Sequence, residues 1–241
     1  MNLVDFNVSS ISQGGNEILS DVQFSLPPGK SIGVIGPSGV GKSTILRVIA
    51  GFHNEYQGEC KVEGIHVSPE NEKKVRGKLS FLFQRSPLME DMTLLENLEL
   101  ALLFVKIPKE EKKESIYEVL DRLKLSHAMR QYPDQLSGGM RRRAVLAAAI
   151  LRRPKILLCD EPFTGQDPVT KDDLVQLFSL IREEYGFSMI LVSHDVRETL
   201  QLCDETILLM DGKLQAKGDK EALMSGASDR ARRFMELGSY V

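Results

Sequence analysis

Gly36-Pro37-Ser38-Gly39-Val40-Gly41-Lys42-Ser43-Thr44 is the stretch on which the reading of this chain turns. It has the form glycine, four residues, then Gly-Lys-Ser. Ahead of it, Ile32-Gly33-Val34-Ile35 is a short apolar run suited to a buried strand. Behind it, Ile45, Leu46, Val48 and Ile49 recur at helical spacing. Strand, glycine loop and helix therefore follow one another in the order a phosphate cradle requires. Gly36, Gly39 and Gly41 let backbone amides turn inward and approach an anion with no Cβ in the way. The helix starts near Lys42, so its unpaired N–H groups and positive dipole end favour phosphate. Lys42 adds a point charge for the β- and γ-phosphates and Ser43 an oxygen for Mg²⁺. A glycine turn with a chance lysine is the alternative, and the matching strand and helix on either side speak against it. The loop implies a nucleoside triphosphate.

Outward toward the amino end, Leu3, Phe6, Val8, Ile18, Val22, Phe24 and Leu26 are apolar positions between turn signals at Gly14-Gly15 and Pro27-Pro28-Gly29, so residues 1–35 read as strands. In the other direction, Gly51 suits the end of the loop helix. Glu59 to Val67 suggests a hairpin arm, and Leu79 to Phe83 is a short apolar run ending in Gln84. From Met92 to about Asp134 the pattern turns helical. Leu94, Leu95, Leu98 and Leu102 share one face, and Ile116, Val119, Leu120 and Leu123 share another. The charge run Pro108-Lys-Glu-Glu-Lys-Lys-Glu between them reads as a solvated helix start. A helix from about Met140 to Arg153 follows, stopped by Pro154. Residues 92–153 are thus expected to form a helical lobe inserted in one domain of residues 1–241. Strands over Lys155–Cys159 and Met189–Val192, a helix near Leu174–Ile181, a hairpin about Asp211-Gly212 and two short helices near Glu221–Met224 and Arg230–Leu237 complete the chain. Strands alternating with helices predict an α/β fold: a doubly wound, mostly parallel sheet with antiparallel strands at the amino end.

Composition narrows the class. The chain has 241 residues, 42% of them hydrophobic, which is ample for a core. Thirty-one basic against 34 acidic residues leave a net charge of −3, so no basic field asks for nucleic acid. Cys60, Cys159 and Cys203 lack metal-ligand spacing and read as reduced thiols of a cytosolic protein. No signal peptide is visible at the amino end. No window approaches the roughly 20 apolar residues of a membrane span; Leu98 to Val105 comes nearest and contains Glu99. A membrane role would have to pass through a partner.

Four further positions fall at the carboxyl ends of the expected strands, the edge where an open α/β sheet holds its ligand: Gln84, Asp160, Glu161 and His194. Asp160, after four apolar residues, can hold Mg²⁺ directly or through water. Glu161, one residue on, points elsewhere and suits a general base or a group that positions water. His194 and Gln84 are weak signals alone, while His53, His66 and His127 lack such placement and read as surface or structural residues. In Leu136-Ser137-Gly138-Gly139-Met140, Ser137 can cap the helix and the two glycines expose N–H groups at its positive end. A second anion cradle needs a second phosphate; a flexible cap is the plain alternative.

Gly36–Thr44, Gln84, Leu136–Met140, Ile156–Glu161 and His194, in this order, resemble the nucleotide-binding subunit of ABC transporters over nearly the whole chain. The resemblance implies the phosphate-loop ATPase fold and a head-to-tail dimer of two copies around two ATP. Each ATP would lie between one copy's phosphate loop and the other's Ser137-Gly138-Gly139. It also implies that Glu161 is the catalytic carboxylate, His194 a switch on the γ-phosphate, and Gln84 the link between Mg²⁺, water and a membrane permease. Ser43, Gln84 and Asp160 would serve the metal. Glu161-Pro-Phe-Thr-Gly-Gln-Asp-Pro168, Met140-Arg-Arg-Arg-Ala144, Ser193-His-Asp-Val196 and Ala231-Arg-Arg-Phe-Met-Glu-Leu-Gly238 look like the ATPase of Mla-type (MCE) systems, which move phospholipid between membranes. That likeness implies an MCE-domain lipid-binding partner and a peripheral place at the cytoplasmic face of the inner membrane. Uptake of an amino acid or ion is the alternative within transporters. Outside them stand a soluble cassette ATPase of ribosomes or chromosomes, which usually carries tandem cassettes or a coiled coil, and a phosphate-loop kinase, against which Ser137-Gly138-Gly139 argues. Two departures from the family stand out. No aromatic lies between Phe6 and Phe24, where members stack adenine near the position of Ser12 or Gln13, and such stacking is worth about 1–3 kcal/mol. No regulatory domain is expected after Leu237.

Overall fold

The computed structural model describes residues 1–84, 88–103 and 105–238. Two compact units emerge, one of residues 1–79, 155–161 and 186–241, the other of residues 80–154 and 162–185.

The first unit is built on a mixed sheet. Its strands are β1 (Val4–Gln13), β2 (Asn16–Leu26), β3 (Ser31–Ile35), β4 (Tyr56–Val62), β5 (Ile65–His66), β7 (Ile156–Asp160), β8 (Ser188–Ser193), β9 (Glu205–Met210) and β10 (Lys213–Gly218), in the spatial order β5-β4-β1-β2-β10-β9-β3-β8-β7. β3, β7, β8 and β9 run parallel, whereas β1, β2, β4 and β5 pair antiparallel. Every residue of β3, β7 and β8 is buried, the mark of parallel strands covered on both faces. β1 and β2 alternate instead, with Val4, Phe6 and Val8 inward, and Phe6 stacks on Phe24 at 4.9 Å inside that layer. The parallel core and the antiparallel amino-terminal strands are as the sequence predicts. α1 (Lys42–Ile49) buries Ile45, Leu46, Val48 and Ile49, and Gly51 at φ 68° turns the chain away behind it. Helices α2 (Glu72–Arg76), α7 (Val196–Leu202), α8 (Lys220–Gly226) and α9 (Asp229–Leu237) complete this unit; α2 was not expected. Glu63, in the β4–β5 turn, accepts from Lys155 at 2.5 Å and pairs with Lys78 at 3.0 Å. Cys60 and Cys159 are buried and Cys203 half-buried, none of them bonded to another. Burial pushes the Cys60 thiol up to about 12 and the Cys159 thiol well above its ordinary value.

The second unit holds α3 (Leu94–Ala101), α4 (Lys109–Arg122), α5 (Gly138–Leu151) and α6 (Pro168–Tyr185), with β6 (Leu79–Leu82) leading into it. Thr93 and Glu96 cap α3 reciprocally. α4 turns Ile116, Val119 and Leu120 inward, as their spacing predicts. α6 begins six residues before the apolar pattern that announces it, because Pro168 fixes its first φ and Asp167 accepts from the N–H groups of Val169 and Thr170, both at 3.1 Å. No described helix is long and apolar enough to cross a membrane; within the Leu98–Val105 stretch, Phe104 lies outside the described residues.

Candidate active site

The phosphate loop joins β3 to α1 in the first unit. Gly41, the residue before the helix, has φ 105°, a conformation that side chains rarely adopt. At Gly36 a Cβ would lie 2.4 Å from the carbonyl oxygen of Leu209, so only glycine fits. Lys42 leads the first turn and is almost fully buried. Its Nζ donates to the carbonyl oxygens of Gly36 at 2.8 Å and Pro37 at 3.1 Å. Burial pulls its ammonium below the ordinary lysine value, against the opposing pull of Glu161 and Asp160. A phosphate oxygen offers that ammonium a charged acceptor in exchange for two neutral ones.

Ser43, next on the helix, donates its hydroxyl to Asp160 Oδ1 at 2.6 Å across from the end of β7. Burial raises the Asp160 carboxyl above its usual range; the Ser43 bond works against that rise, and neighbouring Glu161 adds to it. Glu161 then reverses the backbone. Its φ is 50°, the left-handed region, and its N–H donates to Val192 O at 2.9 Å. A non-glycine residue there costs about 1 kcal/mol or more, and the turn sends its carboxylate away from that of Asp160. Glu161 Oε1 lies 3.8 Å from Lys42 Nζ and Oε2 lies 2.7 Å from His194 Nδ1. A carboxylate only accepts, so Nδ1 is the donor in this contact. His194 follows β8 and is half exposed, whereas Glu161 is largely covered. Phosphate cradle, cation, two acids and an imidazole thus converge, as their positions at the strand ends predict. The left-handed turn that aims Glu161 was not foreseen.

The donor set suits a small hard cation. Ser43 and Asp160 offer oxygens 2.6 Å apart, and among the described residues no cluster of three or more His, Cys, Asp or Glu could hold a metal by itself. Such an ion would complete its shell with phosphate and water, as magnesium does.

The remaining candidates belong to the second unit. Gln84 sits exposed, two residues past β6. Ser137 caps α5, its hydroxyl accepting from Met140 N at 3.3 Å, so Gly138 and Gly139 form the first turn as the sequence predicts. These three residues face a cavity of about 590 Å³ that is also lined by Arg143, Gln166 and Thr170. Gln166 was not a candidate; it reaches toward Gly138, where a Cβ would lie 3.4 Å from its Oε1. Of the other histidines, His53 Nε2 bonds the Ser12 carbonyl at 2.7 Å and His66 pairs with Glu59, the structural roles expected of them.

With this geometry in place, the family model described as ABC transporter matches residues 19–164. This chain belongs to the ABC transporter family. It is an ATP-binding subunit of that family and an ATP hydrolase. The intermembrane phospholipid transport system ATP-binding protein MlaF of Escherichia coli (strain K12) is 36% identical to this ABC ATPase over 98% of the chain and 89% of its own length. The methionine import ATP-binding protein MetN of Caulobacter vibrioides is 34% identical over 93% of the chain and 69% of its own. Among solved structures, an ATP-binding subunit of an ABC transporter superposes with a TM-score of 0.83, covering 97% of this chain and 99% of that one at 24% identity, a likeness of fold. A dimeric ATP-binding cassette in a post-hydrolysis state with ADP and Pi superposes at 0.77 and 29% identity, covering 90% of this chain and 98% of that one.

Proposed function

We propose that this ABC ATPase energises phospholipid movement between membranes. The observation that carries the reading is the 36% identity over 98% of the chain to a phospholipid-transport ATPase. Uptake of a small solute is the second reading, supported by a methionine importer at 34% and a sulfate importer of Neisseria meningitidis at 35%.

In the proposed mechanism residues 1–241 act as one ATPase domain in which residues 92–153 form a helical lobe. The amides of Gly36–Thr44 and the ammonium of Lys42 hold the β- and γ-phosphates and offset charge as the phosphoryl group transfers. Ser43 and Asp160 would hold Mg²⁺, which supplies Lewis-acid neutralisation of the phosphate oxygens when bound. Glu161 orients water and takes its proton. His194, held through Nδ1 by Glu161, presents Nε2 toward the γ-phosphate side. Ser137, Gly138 and Gly139 close the triphosphate pocket of a second copy, and a membrane permease carries the motion. The subunit would sit peripherally at the cytoplasmic face of the inner membrane, with an MCE-domain protein as lipid-binding partner and no nucleic acid.

The test is to purify the native membrane complex and identify its subunits and bound small molecules by mass spectrometry. An MCE-domain subunit with phospholipid supports the reading. A solute-binding protein with methionine or an inorganic anion in its place overturns the lipid assignment and leaves the ATPase chemistry standing.

A further inference from the structure

We infer that α9 positions His194 for hydrolysis, acting through Val196 and Gly238, so that turnover depends on this helix being seated and nucleotide binding does not. The inference rests on the role proposed above for His194.

α9 is amphipathic. Ala231 and Met235 are buried, Arg230, Arg232 and Glu236 face outward, and Ser228 caps the first turn by accepting from Ala231 N at 3.4 Å. The buried face joins a cluster with Leu223 and Ala227 from the α8 region, Leu208 and Met210 of β9, Ala216 of β10, and two residues at the site, Ile35 and Val196. Ile35 immediately precedes Gly36, and Val196 follows His194 by two. At the end of the helix the contact tightens. A Cβ on Gly238 would lie 3.1 Å from Val196 Cγ2 and 3.8 Å from the His194 carbonyl oxygen. Gly238 has φ −70°, an ordinary helical value, so what favours glycine here is close approach and not an unusual backbone. Arg230 ties the start of the helix to the β9–β10 turn through both oxygens of Asp211, at 2.9 and 3.0 Å, an exposed and hence weak tether.

The two site segments that this cluster touches are held differently. Ile35 lies in a strand paired on both sides, with Ser193 of β8 and Leu208 of β9. The phosphate loop beyond it is fixed again by the contact of Gly36 with β9 and by the bonds of Lys42. His194 lies just past the last ladder pair of β8. Asp195 is held locally, its N–H donating to Ser193 Oγ at 3.0 Å and its carboxylate capping α7 at Glu198 N. Val196 and the His194 carbonyl are where α9 presses. Loosening α9 therefore moves the histidine before it moves the phosphate cradle, and with the histidine goes its 2.7 Å bond to Glu161.

The experiment uses the full chain and the native assembly. Gly238→Val separates helix and turn, Met235→Ala empties the cluster, Met235→Leu restores its volume, and Leu237→Ala, on an exposed side chain, is the control. kcat and KM for ATP are measured in the assembly. Nucleotide affinity and the NMR pH titration of the His194 ring, identified by its loss in His194→Ala, are measured in the chain. Gly238→Val and Met235→Ala are expected to shift the His194 titration and to lower kcat roughly tenfold, less than the ~10²-fold that an ångström of misplacement costs. KM and nucleotide affinity stay within about twofold, and Met235→Leu and Leu237→Ala match the parent. An unmoved His194 titration in folded Gly238→Val overturns the inference whatever the rate. So does a loss carried by nucleotide affinity, since α9 would then act on Ile35 and the phosphate loop. If the titration moves while His194→Ala hydrolyses at the parent rate, the positional link holds and it is the proposed role of His194 that falls.

Discussion

The two proposed phosphate cradles of this ABC ATPase are built alike and finished differently. Each places glycines and a hydroxyl residue at the first turn of a helix, Gly36–Ser43 before α1 and Ser137-Gly138-Gly139 before α5. Around the first, Lys42 bonds loop carbonyls, Ser43 bonds Asp160, and Glu161 reaches both Lys42 and His194. In the second the serine caps its helix, and a cavity lies before it. No acid of the first constellation belongs to the second unit. The first gathers a cation, two acids and an imidazole; the second sets a helix amino end beside Arg143, as the proposed role of completing a second copy's pocket would ask.

The strongest way to break this contrast is Glu161→Gln. It keeps the amide within reach of His194 while removing the proposed base. Steady hydrolysis should fall about 10²–10⁴-fold, with an ATP-bound dimer accumulating in size-exclusion runs. Hydrolysis at the parent rate would take the chemistry away from the first cradle. Lys42→Ala should come next, weakening nucleotide binding by about 2–3 kcal/mol, or roughly 10²-fold in Kd by titration calorimetry, through loss of charged hydrogen bonds. Ser137→Ala sharpens the comparison from the other side. Nucleotide affinity of the isolated chain should not change, hydrolysis should drop in the assembly, and the lost cap should cost about 1 kcal/mol in chemical denaturation. A weaker Kd in the isolated chain would mean that the second cradle contributes to binding within one copy.

Protonation gives smaller effects. Asp160 has a raised carboxyl, so it takes up its proton at a higher pH than an ordinary aspartate as pH falls, and a proton there competes with a cation. Magnesium-dependent nucleotide affinity should therefore begin to fail at a higher pH on the acid side than a free carboxylate would dictate, while magnesium-free binding does not follow the same curve. Glu63 shifts the opposite way, its hydrogen bonds to Lys155 and Lys78 holding its carboxyl below the usual range. Its stabilisation is present above the unfolded carboxylate value and is lost as pH falls through the depressed one. Glu63→Gln should cost about 1 kcal/mol or less at neutral pH, because both lysines remain substantially exposed, and the difference should vanish in acid.

What could be read before folding was whatever is local or lies at a strand end. The glycine loop announces its own conformation; Lys155–Cys159 and Met189–Val192 announce buried strands, and their ends place Asp160, Glu161 and His194. What could not be read depends on partners far along the chain. The bond between Glu161 and His194 spans 33 positions, and Ser43 and Asp160 are 117 apart. The left-handed turn at Glu161 follows from the β8 carbonyl that receives its N–H, and nothing in Asp-Glu-Pro signals it. Gln166 escaped notice because its relevance comes from lying against Gly138, 28 residues earlier by number. α6 started earlier than its apolar spacing because the signal was a cap, Asp167-Pro168, and not a face.

The thiols of this chain have a practical consequence. Burial holds the Cys60 thiol up near 12 and the Cys159 thiol well above its ordinary value, so neither offers much thiolate at neutral pH. Alkylating probes would thus pass over both and meet only Cys203, itself half-covered. A cysteine placed at the exposed position of Leu180 would outcompete all three, so a fluorophore or spin label could be installed there without first stripping the native sulfur.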